Sequence, residues 1–164
     1  MLLAILSDTH LPRGGRSIPE RCLERCRVAD AILHAGDLTD LSVLELLRSL
    51  GPPVHAVCGN IDTPAVAAIL PQRLELEFAG ARVGMIHIPG PASLPLRGLP
   101  AQFPGCDAVI FGHTHVAEHA TGDGVQIFNP GSPTERRRRA PAHTMGVAHV
   151  DRGQIGFEIV MLDG

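Results

Sequence analysis

Seven residues of metal-binding type close short apolar runs in this chain. Asp8 and His10 end AILSDTH, Asp37 ends AILHAGD, Asn60 follows VHAVCG, and His113 and His115 end AVIFGHTH. His87 lies late in the run Arg82 to Ile88. Carboxylate, carboxamide and imidazole together suit a divalent cation bound through mixed oxygen and nitrogen donors. No thiolate belongs to the set, which argues against a structural zinc cluster. Seven donors are too many for one ion. Asp37 can bridge two ions with its two oxygens. Residues two apart in an extended segment point the same way, roughly 6–7 Å apart. His113 and His115 can then serve different ions, set ~3.5–4 Å from each other. Taken singly each signal is ordinary: Gly59-Asn60 is a turn signal, and a lone histidine is commonly a core residue. Their order and their repeated place at strand ends carry the reading.

The elements that would position them alternate in the first half. Leu2 to Ser7, Ala31 to His34 and Val54 to Cys58 read as buried strands. Between them the sequence predicts a helix capped by Ser17 and running to about Arg27, and one capped by Asp40 and running to Leu50. A short helix opens at Thr63-Pro64 and ends near Leu70. Strand–helix alternation implies parallel strands with right-handed crossovers. Ligands then gather beyond the carboxyl ends of the strands, and Gly36, Gly59 and Gly112 let the backbone turn and approach closely there. After Pro71 the chain turns mostly to β. Arg73 to Phe78 and Arg82 to Ile88 form a hairpin. Residues 89 to 104 read as a loop with a short helix. Ala108 to Gly112, Val125 to Phe128, Thr144 to Val150 and Gln154 to Leu162 are further strands, and His119 sits on an alternating stretch. The expected architecture is two packed sheets flanked by helices in one domain spanning 1–164.

Bulk composition narrows the function. Hydrophobic residues make up 45% and charged residues 19%, the balance of a globular protein with a core. The net charge of −3 provides no broad attraction to nucleic acid or anionic membrane. Without Trp or Tyr there is little to stack on bases. Arg136 to Arg139 form a short basic run, read as a solvated loop or subunit contact ahead of a phosphate-binding patch. Cys22, Cys26, Cys58 and Cys106 form no C-x-x-C pair and read as buried reduced thiols. No stretch is long enough to span a membrane, and the apolar start reads as a first strand rather than a signal peptide. The expected compartment is a reduced cytoplasm.

D-x-H, then G-D, then G-N-x-D, then a lone His, then G-H-x-H is an ordered pattern that resembles the calcineurin-like metallophosphoesterases. Asn129-Pro130-Gly131-Ser132 is similar to the N-P-G-S segment of the family's small bacterial and archaeal phosphodiesterase branch. The resemblance implies an α/β fold, a four-layer αββα sandwich of two mixed β-sheets flanked by helices, with a binuclear centre. It assigns Asp8, His10, Asp37 and His115 to one metal, and Asp37 as bridge with Asn60, His87 and His113 to the other. Asp37 and Asn60 take the catalytic roles. The implied cofactors are two divalent metal ions, Mn²⁺ favoured, with Fe, Ni, Co or Zn as alternatives. The implied substrate is a small-molecule phosphodiester, and a homo-oligomer is left open. Two positions depart from the pattern. His87 is followed by Ile88-Pro89-Gly90 where the branch has Gly. Ile61 stands where many members carry a histidine that protonates the leaving group. The same branch also resembles the small scaffold subunit of the retromer sorting complex, so a non-catalytic metal-binding scaffold is the alternative. Retention of all seven ligands favours an enzyme.

Overall fold

The computed structural model describes residues 1–90 and 98–163. In chain order the elements are β1 (Leu2–Leu6), α1 (Glu20–Arg27), β2 (Ala31–His34), α2 (Leu41–Ser49), β3 (Val54–Ala56) and α3 (Pro64–Ala67). There follow β4 (Arg73–Phe78), β5 (Ala81–Ile86), β6 (Ala108–Ile110), β7 (Glu118–Gly122), β8 (Val125–Asn129), β9 (Thr144–Asp151) and β10 (Gln154–Met161). They build two mixed five-stranded sheets, ordered β10-β9-β1-β2-β3 and β4-β5-β6-β8-β7. Part of the loop expected over 89–104 lies outside the described residues, at 91–97. Among the described residues its helical piece is the 3-10 turn Pro100–Gln102.

The sheets pack face to face because their strands are apolar on the facing side. Leu3, Ile5, Ala31 and Leu33 from the first sheet meet Val83, Met85, Ala108, Ile110 and Phe128 from the second. The alternate residues Ala4, Leu6 and Ile32 point to the other face, under Leu23 of α1 and Val43, Leu44 and Leu47 of α2. A strand covered on both faces reads as a near-continuous apolar run, as Leu3 to Leu6 and Ala31 to Leu33 do. On the outer face of the second sheet, Val109, Phe111 and Ile127 are covered by Leu99 and Phe103 around the 3-10 turn. Among the described residues, that fourth layer is thin compared with the helical layer on the first sheet. The four cysteines are free and buried. No helix among the described residues is long and apolar enough to cross a membrane.

Local boundaries differ from the sequence expectations in ways that bear on the site. Asp40 caps α2, its carboxylate accepting from the Ser42 N–H at 2.9 Å. Ser17 does not cap α1: the helix begins at Glu20 behind Pro19, which has no capping side chain. A residue before proline is pushed out of the helical region, so Ile18 cannot open the helix and is buried instead. Strands β3, β5 and β6 stop at Ala56, Ile86 and Ile110. Asn60, His87 and His113 therefore lie in the turns beyond the strands. β1, β2 and β3 are mutually parallel, as are β5, β6 and β8. This puts three carboxyl-terminal strand ends side by side in each sheet.

Candidate metal centre

The turns after β1 and β2 are joined by backbone hydrogen bonds: Asp8 N–H to Gly36 O at 3.0 Å, His10 N–H to Asp37 O at 3.0 Å and Leu11 N–H to Leu38 O at 3.2 Å. This short pairing sets Asp8 and His10 beside Asp37. The backbone needed is unusual. Asp8, His10, Asp37, His113 and His115 have φ of 55°, 48°, 59°, 71° and 59°, in the left-handed region. For residues other than glycine such conformations cost of order 1–3 kcal/mol each and persist where the surroundings impose them. Glycine is required at the closest approaches. A Cβ on Gly59 would stand 2.1 Å from Asp37 Oδ1, and one on Gly112 would stand 2.0 Å from Ser7 Oγ.

All seven candidate ligands gather in one cluster. His10 Nε2 lies 3.3 Å from Asp37 Oδ2 and 3.7 Å from Asp8 Oδ1. His115 Nε2 is 3.3 Å from Asp8 Oδ1, and His87 Nε2 is 3.2 Å from Asp37 Oδ2. Asn60 Oδ1 is 3.0 Å from His87 Nε2 and 2.8 Å from His113 Nδ1. Asp8, His10, Asp37, His87 and His115 are buried, whereas Asn60 and His113 are exposed at the rim. Two groupings have ligand atoms close enough to share an ion: Asp8 with His10 and His115, and Asp8 with Asp37 and His87.

The electrostatics ask for positive charge. His87 Nδ1 is 2.7 Å from Ala35 O, which takes that N–H and leaves Nε2 facing two oxygens, Asp37 Oδ2 and Asn60 Oδ1. A lone pair cannot rest against two acceptors, so a proton or a cation must lie between them. His115 differs: Nδ1 faces Glu135 O at 3.3 Å, while Nε2 lies between Asp8 Oδ1 and the Arg137 guanidinium, a donor that already brings positive charge to this edge. Burial opposes charge on His10, but Asp37 and Asp8 outweigh it and hold the imidazole up at about 9. Burial likewise opposes charge on His87, and Asp37 raises it. Burial would push the Asp37 carboxyl up, but hydrogen bonds from His10, His87 and the Ile61 N–H hold it well below the usual carboxylate range. Hard oxygens and imidazole nitrogens, buried and short of positive charge, fit divalent cations.

The neighbouring residues lock the cluster. Ser7 Oγ donates to Asp8 Oδ2 at 2.7 Å, and the His113 N–H reaches Asp8 Oδ2 at 3.0 Å. Ile61 contributes its backbone, the N–H donating to Asp37 Oδ1 at 3.0 Å, while its side chain is 39% exposed. Asp62 accepts from Thr39 N–H and Gly59 N–H, fixing the Asn60 turn. His34, read from sequence as a neighbour of the site, is fully buried with Nε2 3.2 Å from Thr9 Oγ1. Burial pushes it down to about 3. His119 is engaged with Gln126 Oε1 at 2.9 Å and stacks edge-on against Phe128 and Phe157.

Two residues went unnoticed in the sequence as members of this site. Glu135 Oε2 lies 3.0 Å from His10 Nδ1, and Arg137 Nη2 lies 3.4 Å from His115 Nε2. The N-P-G-S segment delivers both: Ser132 Oγ donates to Asp8 O at 2.7 Å and accepts from the Glu135 N–H at 2.9 Å. The S-P-T-E spacing, serine followed three residues later by glutamate, is the signal that could have marked Glu135. A cavity of about 320 Å³ opens beside Asn60 and His87, walled by Cys58, Gln72, Ile86 and Ile88. A larger concavity, about 640 Å³, lies at the opposite ends of the strands, by Leu2, Asp30 and His149. Neither ligand grouping touches it.

Residues 1–153 match the family model of the calcineurin-like phosphoesterase superfamily domain. A probable metallophosphoesterase of Methanothermobacter thermautotrophicus is 36% identical over 163 residues, covering 98% of this chain and 92% of that protein. Among solved structures, the Zn²⁺ complex of Vps29 from Entamoeba histolytica superposes with a TM-score of 0.78 at 23% identity, covering 99% of this chain and 100% of that one. An archaeal phosphodiesterase superposes with a TM-score of 0.74 at 21% identity, covering 98% and 100%. The fold agrees with these matches, and the chain belongs to the calcineurin-like phosphoesterase superfamily.

Proposed function

We propose that the chain is a metal-dependent phosphodiesterase that hydrolyses a small phosphodiester at a two-cation centre. The observation that carries this reading is the position of Asp37 Oδ2, 3.3 Å from His10 Nε2 and 3.2 Å from His87 Nε2, at the junction of two donor groups. Asp8, His10 and His115 would hold one ion, Asn60, His87 and His113 the other, with Asp37 shared. The oxygen and imidazole donor set suits Mn²⁺, Fe, Co, Ni or Zn, and the family resemblance favours Mn²⁺ among them. When bound, such a pair supplies a nucleophilic water at neutral pH and neutralises phosphoryl charge.

The chain's own groups do the rest. Asn60 and His113, exposed at the rim, face arriving substrate. Asn60 orients it, and the Ile61 N–H keeps Asp37 Oδ1 fixed while Oδ2 stays with the histidines. Arg137, whose guanidinium reaches the edge of the centre, offers a charge-assisted donor to a phosphoryl oxygen. The ester group lies in the cavity beside Asn60. That cavity's apolar walls, Ile86 and Ile88, suit a small organic group better than a charged one.

The similarity to Vps29 supports a second reading, a scaffold for protein partners. Ile61 and Ile88, exposed beside the site, could belong to a contact surface. One experiment separates the two. Protein stripped with a chelator and reloaded with Mn²⁺ is assayed on bis(4-nitrophenyl) phosphate. The phosphodiesterase reading expects hydrolysis that disappears on stripping and returns on loading. Protein that holds two ions and still fails to turn over would favour the scaffold.

A further inference from the structure

Glu135 belongs to a part of the sequence that the ligand pattern leaves unassigned, yet it touches two of the candidate ligands in different ways. Its side-chain Oε2 lies 3.0 Å from His10 Nδ1, and its backbone carbonyl lies 3.3 Å from His115 Nδ1. The residue is held from behind. Its N–H donates to Ser132 Oγ, itself bonded to Asp8 O. Arg16 Nη1 stands 3.8 Å from the same Oε2 and donates to Thr134 O at 3.3 Å.

The contact accounts for two of the three buried atoms on this pair of residues that lack an aligned partner. His10 Nδ1, His10 Nε2 and Glu135 Oε2 are buried and have no aligned hydrogen-bond partner. Two of them face each other within hydrogen-bonding distance, off the line of the ring N–H. The third, Nε2, faces Asp8 and Asp37. An imidazole has one N–H when neutral, and placing it on Nδ1 toward Glu135 leaves the Nε2 lone pair aimed between the two carboxylates. Histidines that bind metal commonly give their other N–H to a carboxylate or a carbonyl, which fixes the tautomer and strengthens the donor nitrogen. Here one residue provides both kinds of acceptor, a carboxylate for His10 and a carbonyl for His115.

We infer that Glu135 is a positioning residue for the ion held by Asp8, His10 and His115, setting the tautomer of His10 through its carboxylate. The inference rests on the two-cation reading above. It also makes a selective prediction. Substituting the side chain removes the acceptor for His10 but keeps the carbonyl for His115, and nothing on the Asn60, His87 and His113 side is touched.

The test is calorimetric titration of metal-stripped protein with Mn²⁺, for the native chain, Glu135→Ala and Glu135→Gln, with thermal melting of each stripped protein. The native chain should take up two ions. In Glu135→Ala one affinity should fall ~10–100-fold, the range for loss of such a supporting partner, while the other stays within about threefold, well below that range. Glu135→Gln retains an acceptor oxygen and should recover most of the loss. Unchanged affinities in Glu135→Ala, or equal losses at both ions, would overturn the inference. So would a lowered melting temperature with both affinities intact, the mark of a purely structural role. A native chain that binds no Mn²⁺ would instead overturn the two-cation reading, and this inference with it.

Discussion

At position 61 the backbone and the side chain have separate roles. The Ile61 N–H holds Asp37, whereas the side chain is partly exposed where a proton donor would be useful. General acid assistance is worth ~10²–10⁴ in rate. Without it, an alkoxide leaving group departs with little help, while a nitrophenolate leaves readily as an anion. The native protein should therefore hydrolyse activated aryl diesters far faster than alkyl diesters. Ile61→His keeps the N–H and adds an imidazole near Asp62. It should narrow that gap by accelerating the poor leaving groups most, read as kcat/KM across a series of diesters. An equally steep dependence after the substitution would mean the imidazole cannot reach the leaving oxygen. Asp37→Asn removes the shared charge, and metal analysis should find at least one ion lost.

At the scale of elements, the strand-end turns are built with no room to spare. Gly59→Ala puts a methyl group onto Asp37 Oδ1 and the Asp37 N–H. It should cost about 1–3 kcal/mol by overpacking, seen in denaturant melts, and should weaken metal uptake. The run Arg136 to Arg139 divides in the same spirit. Arg137 reaches His115, while Arg136 bonds to Pro141 O at 3.3 Å. Arg137→Ser should lower kcat/KM on a small diester roughly 10–100-fold, the worth of a hydrogen bond to a charged group. Changing Arg136, Arg138 and Arg139 together to Ser should leave it nearly unaltered. Equal losses from both variants would point to a general electrostatic effect.

How much of this was legible follows from where each signal lives. Parallel strands were readable in AILSDTH and AILHAGD because a strand buried on both faces has an apolar signature of its own. The candidate ligands stood out because they recur at the ends of such runs. Arg137 was not, since four identical residues in a row give no local reason to prefer one. Glu135 acts on a residue 125 positions earlier, a contact that only the packing of the two sheets creates. The start of α1 was misplaced because Ser17 is a good cap by type, but Pro19 decides where the helix can begin.

For the whole molecule, the buried interior contains a histidine, His34, that burial keeps neutral. Burial holds His34 down to about 3, below its ordinary value near 6.5. The sign follows from linkage. Below pH 6.5 the unfolded chain binds a proton that the folded chain refuses, so stability falls as pH drops from 6.5 toward 3. The slope contributed reaches roughly 1.4 kcal/mol per pH unit. Denaturant titrations at several pH values should show that slope, and His34→Gln should flatten it in that window. An unchanged slope would move the effect to other groups.

The central claim is that the carboxyl ends of two sheets jointly hold two cations through one shared carboxylate. Anomalous diffraction from crystals grown with Mn²⁺ tests it most directly. Two peaks are expected, one among Asp8, His10 and His115, the other among Asn60, His87 and His113, with Asp37 contacting both. A single peak, a peak elsewhere on the molecule, or two peaks without Asp37 between them would contradict the account.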